Sequence, residues 1–447
     1  MSSKKIKVIG AGLAGCEAAY QAAKLGCEVI LYEMKPKRFS PAHHSSNFAE
    51  LVCSNSFRSN QLNNAVGLLK AELSELGSLI MEAAYATEVP AGSALAVNRD
   101  DFSSYITAKI HSMDNISVIN EEVDEIDDDV ITVVATGPLT SESLSNKISK
   151  LTGGDELHFF DAAAPIIDFS SVNTDVAFFA SRYGKGEPTD YLNCPMNKEE
   201  YDRFYHALIN APSAPLKAFD KELQDDLTVF EGCMPVEIMA SRGYDTLRFG
   251  PMKPVGLPLP STGEDAYATV QLRRENREGT MYNIVGFQTH LTFGAQKEVF
   301  RMIPGLENAE FFRYGVMHRN TYINSPRLLT NVYSMREKNN LFFAGQITGV
   351  EGYIESTSSG FVAGINAAMT ALGEKLVVFP KTTEIGALAH YVSEGGISSS
   401  FQPMNANFGI IQPFDKKIKG GKNCRNLAYS ERSLEIIRRD FSFINKL

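Results

Sequence analysis

The chain has 447 residues, 44% of them hydrophobic and 21% charged, the balance of an ordinary globular protein with two or three domains or one large domain carrying an insertion. Its net charge of −10 excludes a uniformly basic nucleic-acid binder while leaving room for a local basic face. No apolar run reaches the roughly 18 residues of a membrane span. Six cysteines (Cys16, Cys27, Cys53, Cys194, Cys233, Cys424) occur without a Cys-x-x-Cys, which argues against a zinc site, a disulfide framework and a dithiol redox pair. Met1-Ser2-Ser3-Lys4 lacks the apolar core of a signal peptide, so the expected compartment is the cytoplasm.

Residues 5–9, Lys-Ile-Lys-Val-Ile, read as a strand, and Gly10-Ala11-Gly12-Leu13-Ala14-Gly15 follows at once. A helical run over 13–25 ends at Gly26, and a second strand ends in Glu33. Strand, G-x-G-x-x-G, helix, strand and acid together form the dinucleotide-binding fingerprint. Gly10 permits the tight turn, Gly12 lets the backbone approach a pyrophosphate, and Gly15 allows close helix–strand packing. The helix start directs N–H groups and a positive dipole end at phosphates, and the Glu33 carboxylate suits ribose hydroxyls. A long irregular stretch over 34–61 follows, of a length that usually carries function. Apolar spacing predicts one helix over 65–84 and short strands over 116–119 and 129–138, the second ending in Ala135-Thr136-Gly137-Pro138. A late strand over 341–346 ends in Gly345-Gln346, and a small-residue helix over 356–372 carries Gly360 and Gly364 for close approach.

Two thiols stand in polar, loop-like settings. Cys53 lies in Phe48-Ala49-Glu50-Leu51-Val52-Cys53-Ser54-Asn55-Ser56-Phe57-Arg58, and arginine or loop N–H groups favour the reactive thiolate. Cys233 is bracketed by Gly232 and Pro235. The alternative for each is an inert buried cysteine, the reading given to Cys16, Cys27, Cys194 and Cys424. His43 or His44 is a candidate base or phosphate contact, and the segments 248–257, 285–290 and 318–322 offer Arg, Lys, Gln and His in loop-like contexts. Two segments are basic, 35–38 and 416–425.

The first motif, the mid-chain Ala135-Thr136-Gly137 and the glycine-led loop at 344–349 resemble the large flavoprotein superfamily. That resemblance implies an α/β fold: an FAD-binding Rossmann-like domain of glutathione-reductase type, discontinuous over 1–165 and 330–447, with an inserted α+β domain over 166–329. FAD contacts would then fall on Gly10, Ala11, Gly12, Leu13, Ala14, Gly15, Glu33, Thr136, Gly137, Gly345, Gln346 and Gly352. Gln346 stands where many members have an acid, so that contact must be made differently. A second G-x-G-x-x-G for a nicotinamide is missing, so NAD(P)H would dock transiently.

The segments 10–15, 49–55, 89–92, 135–140, 231–235, 249–256 and 343–352, in this order, make the chain similar to the folate- and FAD-dependent tRNA (uracil-5-)-methyltransferase family, TrmFO, from about residue 5 to 415. The resemblance implies 5-methyluridine formation in the tRNA T loop, with carbon from methylenetetrahydrofolate relayed through FAD and electrons from NAD(P)H. It assigns function to Cys53 and Cys233, with Cys233 adding to uracil C6 and Cys53 beside the flavin, although the residues alone leave the split open. The reacting base must leave its stack, and the 416–425 segment becomes a candidate RNA face. Alternatives are the same chemistry on a 23S rRNA uridine, a carboxymethylaminomethyl-uridine partner of MnmG type, and a small-molecule flavin oxidoreductase. Folate contacts, reductant preference and oligomeric state stay open.

Overall fold

The computed structural model describes residues 4–40, 42–154, 156–162, 164–214, 234–276, 278–315, 317–394, 401–416 and 418–444. The chain opens with β1 (Lys5–Ile9), α1 (Leu13–Lys24) and β2 (Glu28–Tyr32). It continues through α2 (Ala65–Glu75), α3 (Leu79–Ala86), α4 (Arg99–His111), β3 (Ile116–Ile119) and β4 (Ile131–Val134). A second region holds β5 (Ile166–Asp168), β6 (Phe178–Phe179), β7 (Tyr191–Met196), β8 (Ala268–Arg274), β9 (Met281–Ile284) and β10 (Phe311–Arg313). The chain closes with β11 (Leu341–Phe343), α5 (Tyr353–Leu372), α6 (Glu384–Glu394) and α7 (Gly421–Asp440).

A parallel sheet, ordered β11-β4-β1-β2-β3, forms the centre of the first region. Its strands are short and Val/Ile/Leu/Phe-rich, as burial on both faces requires. The second sheet is antiparallel, ordered β6-β7-β8-β9-β5-β10. Each sheet has its own apolar core, one drawn from residues between Ile6 and Ile148 and between Ile323 and Ile444, the other from residues between Ile167 and Ala309. Between them the chain leaves along Glu156–Ala162 and returns along Met317–Ile323, and these two strands pair antiparallel.

That pairing corrects the loop-like reading of 318–322. The stretch is polar, and its strand state comes from a partner more than 150 residues away, Met317 opposite Ala162 and Ile323 opposite Glu156. The single helix expected over 65–84 is two helices. Gly77 takes φ +78°, and α3 restarts under Ser78, whose Oγ accepts from Met81 N–H. The buried Glu17 carboxyl group accepts from Ser78 Oγ at 2.7 Å and from Ile80 N–H at 3.0 Å, so a side chain from α1 takes up a free N–H at the start of α3. Apolar spacing runs on across this break and hides it.

Helices α1 and α5 meet at backbone distance. A Cβ on Gly360 would lie 2.2 Å from Ala14 O, and one on Gly364 would lie 2.5 Å from Ala18 Cα. This contact presses the start of α5 toward the carboxyl end of the parallel sheet.

Candidate cofactor cleft and thiol loop

A cleft opens where β1, β2, β4 and β11 end and α1 begins, enclosing about 1150 Å³ with its open mouth. Its position outside the carboxyl ends of parallel strands is where such sheets hold nucleotides. Gly10, Ala11, Gly12, Leu13, Ala14, Glu33, Thr136, Gly137, Gly345 and Gln346 line it, whereas Gly15 and Gly352 do not. Those two shape the cleft from behind. A Cβ on Gly15 would sit 1.7 Å from Gly10 O, and Gly352, at φ +120°, would place one 2.2 Å from Glu355 Oε2.

Gly10, at φ +99°, could not carry a Cβ without meeting Ala135 O at 2.6 Å, which brings the two glycine turns together. Gly12 differs, because its Cβ would meet nothing within 4 Å and would project into unfilled space. Helix α1 has no side-chain cap and no acid in its first turn, so its leading N–H groups stay available to an anion. Glu33 is fixed by two backbone donors, Ala11 N–H at 2.9 Å and Lys35 N–H at 3.0 Å. Thr136 Oγ1 pairs with Thr140 Oγ1 at 2.6 Å, and Gly345 N–H donates to Ser359 Oγ at 2.7 Å. Gln346 Nε2 donates to Glu351 at 2.6 Å, so in this state its amide holds the loop together. An uncapped helix start, an open Gly12 and an oriented carboxylate fit the pyrophosphate and ribose of FAD.

The stretch around Cys53 is stitched to this cleft. Ala49 takes φ +49° and its N–H donates to Ala11 O at 2.9 Å. Ala49, Glu50 and Val52 line the cleft. Tyr353, the first residue of α5, also lines it, and its Oη accepts from Cys53 N–H at 2.8 Å and Ser54 N–H at 3.2 Å. Burial, then the nearby thiol, push the Tyr353 phenol well above its ordinary pKa, which keeps it neutral.

Three arginines hold the same stretch. Arg99 Nη2 donates to Cys53 O at 3.3 Å and Nη1 to Leu51 O, while its Nε pairs with the buried Glu275 at 2.6 Å. Arg273 donates to Ser54 Oγ at 2.8 Å and Asn55 Oδ1 at 3.1 Å. Arg313 donates to Val52 O, and burial, then Arg99, lower its pKa. Arg58, the arginine the sequence points to, instead pairs with the buried Glu355. None of Arg99, Arg273, Arg313, Glu275 or Tyr353 stands out in the sequence. The one local signal is Asn98 before Arg99, a helix cap whose side chain accepts from Asp100 N–H and Asp101 N–H.

Cys233 lies outside the described residues, as does Lys417 of the second basic segment. Met234, next to Cys233 in sequence, is buried, and the following helix is anchored by Val236 N–H on Gln288 O at 2.7 Å. Cys16, Cys27 and Cys194 are buried with thiols raised by burial, as expected, whereas Cys424 is exposed, which corrects the buried reading of that cysteine. His43 lines the cleft, its Nδ1 is 2.5 Å from Ser40 Oγ, and burial, then Lys35, lower its pKa. His44 does not line the cleft, and its N–H donates to Glu50. The 35–38 segment is neutralised in place: Lys35 is buried beside Glu50 at 3.9 Å and donates to Asn47 O, Lys37 pairs with Glu121 at 3.3 Å, and Arg38 pairs with Glu122.

Fold and cleft together define a flavoprotein of the FAD-binding Rossmann-like class. The family described as glucose inhibited division protein A matches residues 5–375. The methylenetetrahydrofolate–tRNA-(uracil-5-)-methyltransferase TrmFO of Acetivibrio thermocellus is 62% identical over 433 residues, 97% of this chain and 98% of the relative. The protein of the same name from Bacillus subtilis is 57% identical over 438 residues, 98% and 99% of the two chains. The Aquifex aeolicus GidA structure superposes with a TM-score of 0.69 at 18% identity, over 99% of this chain and 74% of that one, a likeness of fold. The chain belongs to the glucose inhibited division protein A family and, at this identity, to the TrmFO family. Among the described residues no helix is long and apolar enough to cross a membrane.

Proposed function

We propose that this chain methylates C5 of a uracil in tRNA, taking the carbon from methylenetetrahydrofolate, with FAD as cofactor and NAD(P)H as reductant. The observation that carries this reading is a cysteine loop sewn to the rim of an FAD cleft, in a chain that matches proteins bearing that enzyme name nearly end to end. A tRNA substrate places the enzyme in the cytoplasm, and the T loop is the proposed site of the base. The relatives' names favour tRNA over rRNA and over a small-molecule substrate.

When bound, FAD supplies the one-carbon and electron relay. The residues of the chain then divide the remaining work. The N–H groups at the start of α1 hold the pyrophosphate, and Glu33 holds a ribose. Thr136, Gly137, Gly345 and Gln346 border the rest of the cofactor, while Gly15 and Gly352 set the shape of the loops. We assign 1–165 and 330–447 to the cofactor-holding domain and 166–329 to an insertion that covers the thiol loop. A thiolate adding to uracil C6 makes C5 nucleophilic, and this role falls to Cys233. Cys53, in the loop held by Tyr353 and three arginines, stands by the cofactor as the second thiol.

The test uses tRNA containing 5-fluorouridine with folate and reductant. A covalent protein–RNA adduct that maps to Cys233 and vanishes in Cys233→Ala is expected. An adduct that persists unchanged in that variant overturns the assignment. Labelled folate with tRNA and rRNA in parallel reports the substrate, and carbon transfer to tRNA is the expected outcome.

A further inference from the structure

A polar face around the N-terminus of α7 is used by neither the cleft nor the thiol loop. Two adjoining grooves there enclose about 1330 and 1110 Å³ with their open mouths, and they share Lys422, Arg425 and Tyr429. Lys416 and Lys419 line the second groove, and all four cations are exposed. No acidic residue among the described ones lines either groove, in a chain whose net charge is −10, and the nearest acid in sequence is Asp415. Helix α7 runs 20 residues with no acid in its first turn and no side-chain cap, so its first N–H groups also face outward.

A second observation is independent of charge. Asn426 lines the first groove and is only 5% exposed. Its Nδ2 donates to Asn63 O at 2.9 Å, but its Oδ1 has no partner among the described residues. A buried acceptor without a donor is unfavourable, and a ligand donor answers it. Phosphate oxygens only accept, whereas a ribose 2′-hydroxyl donates. An aromatic wall completes the surface: Phe414 and Tyr429 stack at 5.1 Å, with Arg432 4.3 Å over Phe414.

We propose that this face docks the ribose–phosphate backbone of the RNA substrate, apart from the cleft where the base reacts. Cations and helix N–H groups take phosphates, and Asn426 Oδ1 accepts from a 2′-hydroxyl. The face is connected to the thiol loop: Ala406, in the groove wall, donates its N–H to Glu355 at 2.8 Å, and Glu355 pairs with Arg58. This inference rests on the proposed function, and its test separates the two.

The experiment compares wild-type flavin-loaded enzyme with the triple variant Lys419→Ala/Lys422→Ala/Arg425→Ala, measuring tRNA affinity against salt. The variant is expected to bind about tenfold or more weakly, with the salt slope flatter by about 2 to 3. Flavin absorbance and kcat at saturating tRNA should stay at the wild-type level. Unchanged affinity and slope overturn the docking face. A second measurement needs no substitution, because the exposed Cys424 lies in the first turn of α7. tRNA should slow its alkylation by N-ethylmaleimide, and a DNA oligonucleotide of the same sequence should do so less. Unprotected Cys424 overturns the docking face, and equal protection by DNA overturns the ribose contact. If the wild type transfers no carbon to tRNA, the functional reading itself falls. If it does so while the variant binds normally, only this face falls.

Discussion

At the residue scale, the three glycines of the first loop serve different ends, and substitution separates them. Gly15→Ala drives a Cβ to 1.7 Å from Gly10 O, so it should destabilise the fold by at least about 1–3 kcal/mol and lower the melting temperature. Gly12→Ala meets no protein atom within 4 Å, so its melting temperature without cofactor should match wild type while flavin content falls. Flavin absorbance per protein and a thermal melt of the stripped enzyme check both, and a folded, fully yellow Gly12→Ala enzyme rejects the cleft's orientation. These glycines are legible in the sequence because a tight turn and a close approach are local demands. The arginines at the thiol loop are not legible for the opposite reason. Arg99 reaches Cys53 O across 46 positions and Arg313 reaches Val52 O across 261, and no local pattern encodes such meetings.

At the scale of the element, α2 carries two buried charges with opposite pH signatures. Glu72 accepts Glu384 N–H and Ile385 N–H, both at 2.8 Å at the start of α6, and a hydroxyl from Ser433 on α7. Burial pushes its pKa up from 4.5 to about 7. Lys70 donates to Phe57 O at 3.0 Å and Arg58 O at 3.1 Å, and burial, then Arg58, bring it down from 10.5 to about 7. Between pH 4.5 and 7 folded Glu72 keeps a proton that the unfolded chain has released, so stability falls as pH rises. Between pH 7 and 10.5 the unfolded lysine keeps a proton that folded Lys70 has lost, so stability rises again. Urea denaturation should therefore find a minimum near neutrality. Glu72→Gln should flatten the acidic limb by about 2 kcal/mol, and Lys70→Met the alkaline limb by a similar amount. Glu17, Glu237 and Glu384, also raised by burial, keep part of the acidic limb in the first variant. A monotonic wild-type profile rejects this account. The sequence predicts strand β1 to its observed ends, yet it merges α2 with α3, because the apolar period continues through Gly77.

At the scale of the molecule, two apolar cores meet along a polar seam, and the Cys53 loop lies in it. Arg99 on α4 pairs with Glu275 just past β8, Asn55 Nδ2 donates to Arg274 O at 3.0 Å, and Arg273 and Arg313 reach in from the second sheet. Removing one partner of a buried pair leaves a charge without its counterion. Glu275→Gln should cost about 3–5 kcal/mol in denaturant unfolding, and amide exchange at 51–55 should quicken. Exchange at wild-type rates in a destabilised variant would separate the seam from the thiol loop. The parallel strands can be read singly from their composition. Their order, with β11 beside β4, cannot, because it pairs segments some 200 residues apart.

The contact of Gly360 and Gly364 with Ala14 and Ala18 also sets a clock on biosynthesis. At roughly 5–20 residues per second, α1 leaves the ribosome about 15–70 s before its partner helix exists. Through that interval its small-residue face and the β4 edge have nothing to cover them. A nascent chain stalled short of residue 341 should therefore bind chaperone and stay colourless with flavin present. One stalled with both β11 and α5 clear of the exit tunnel should turn yellow.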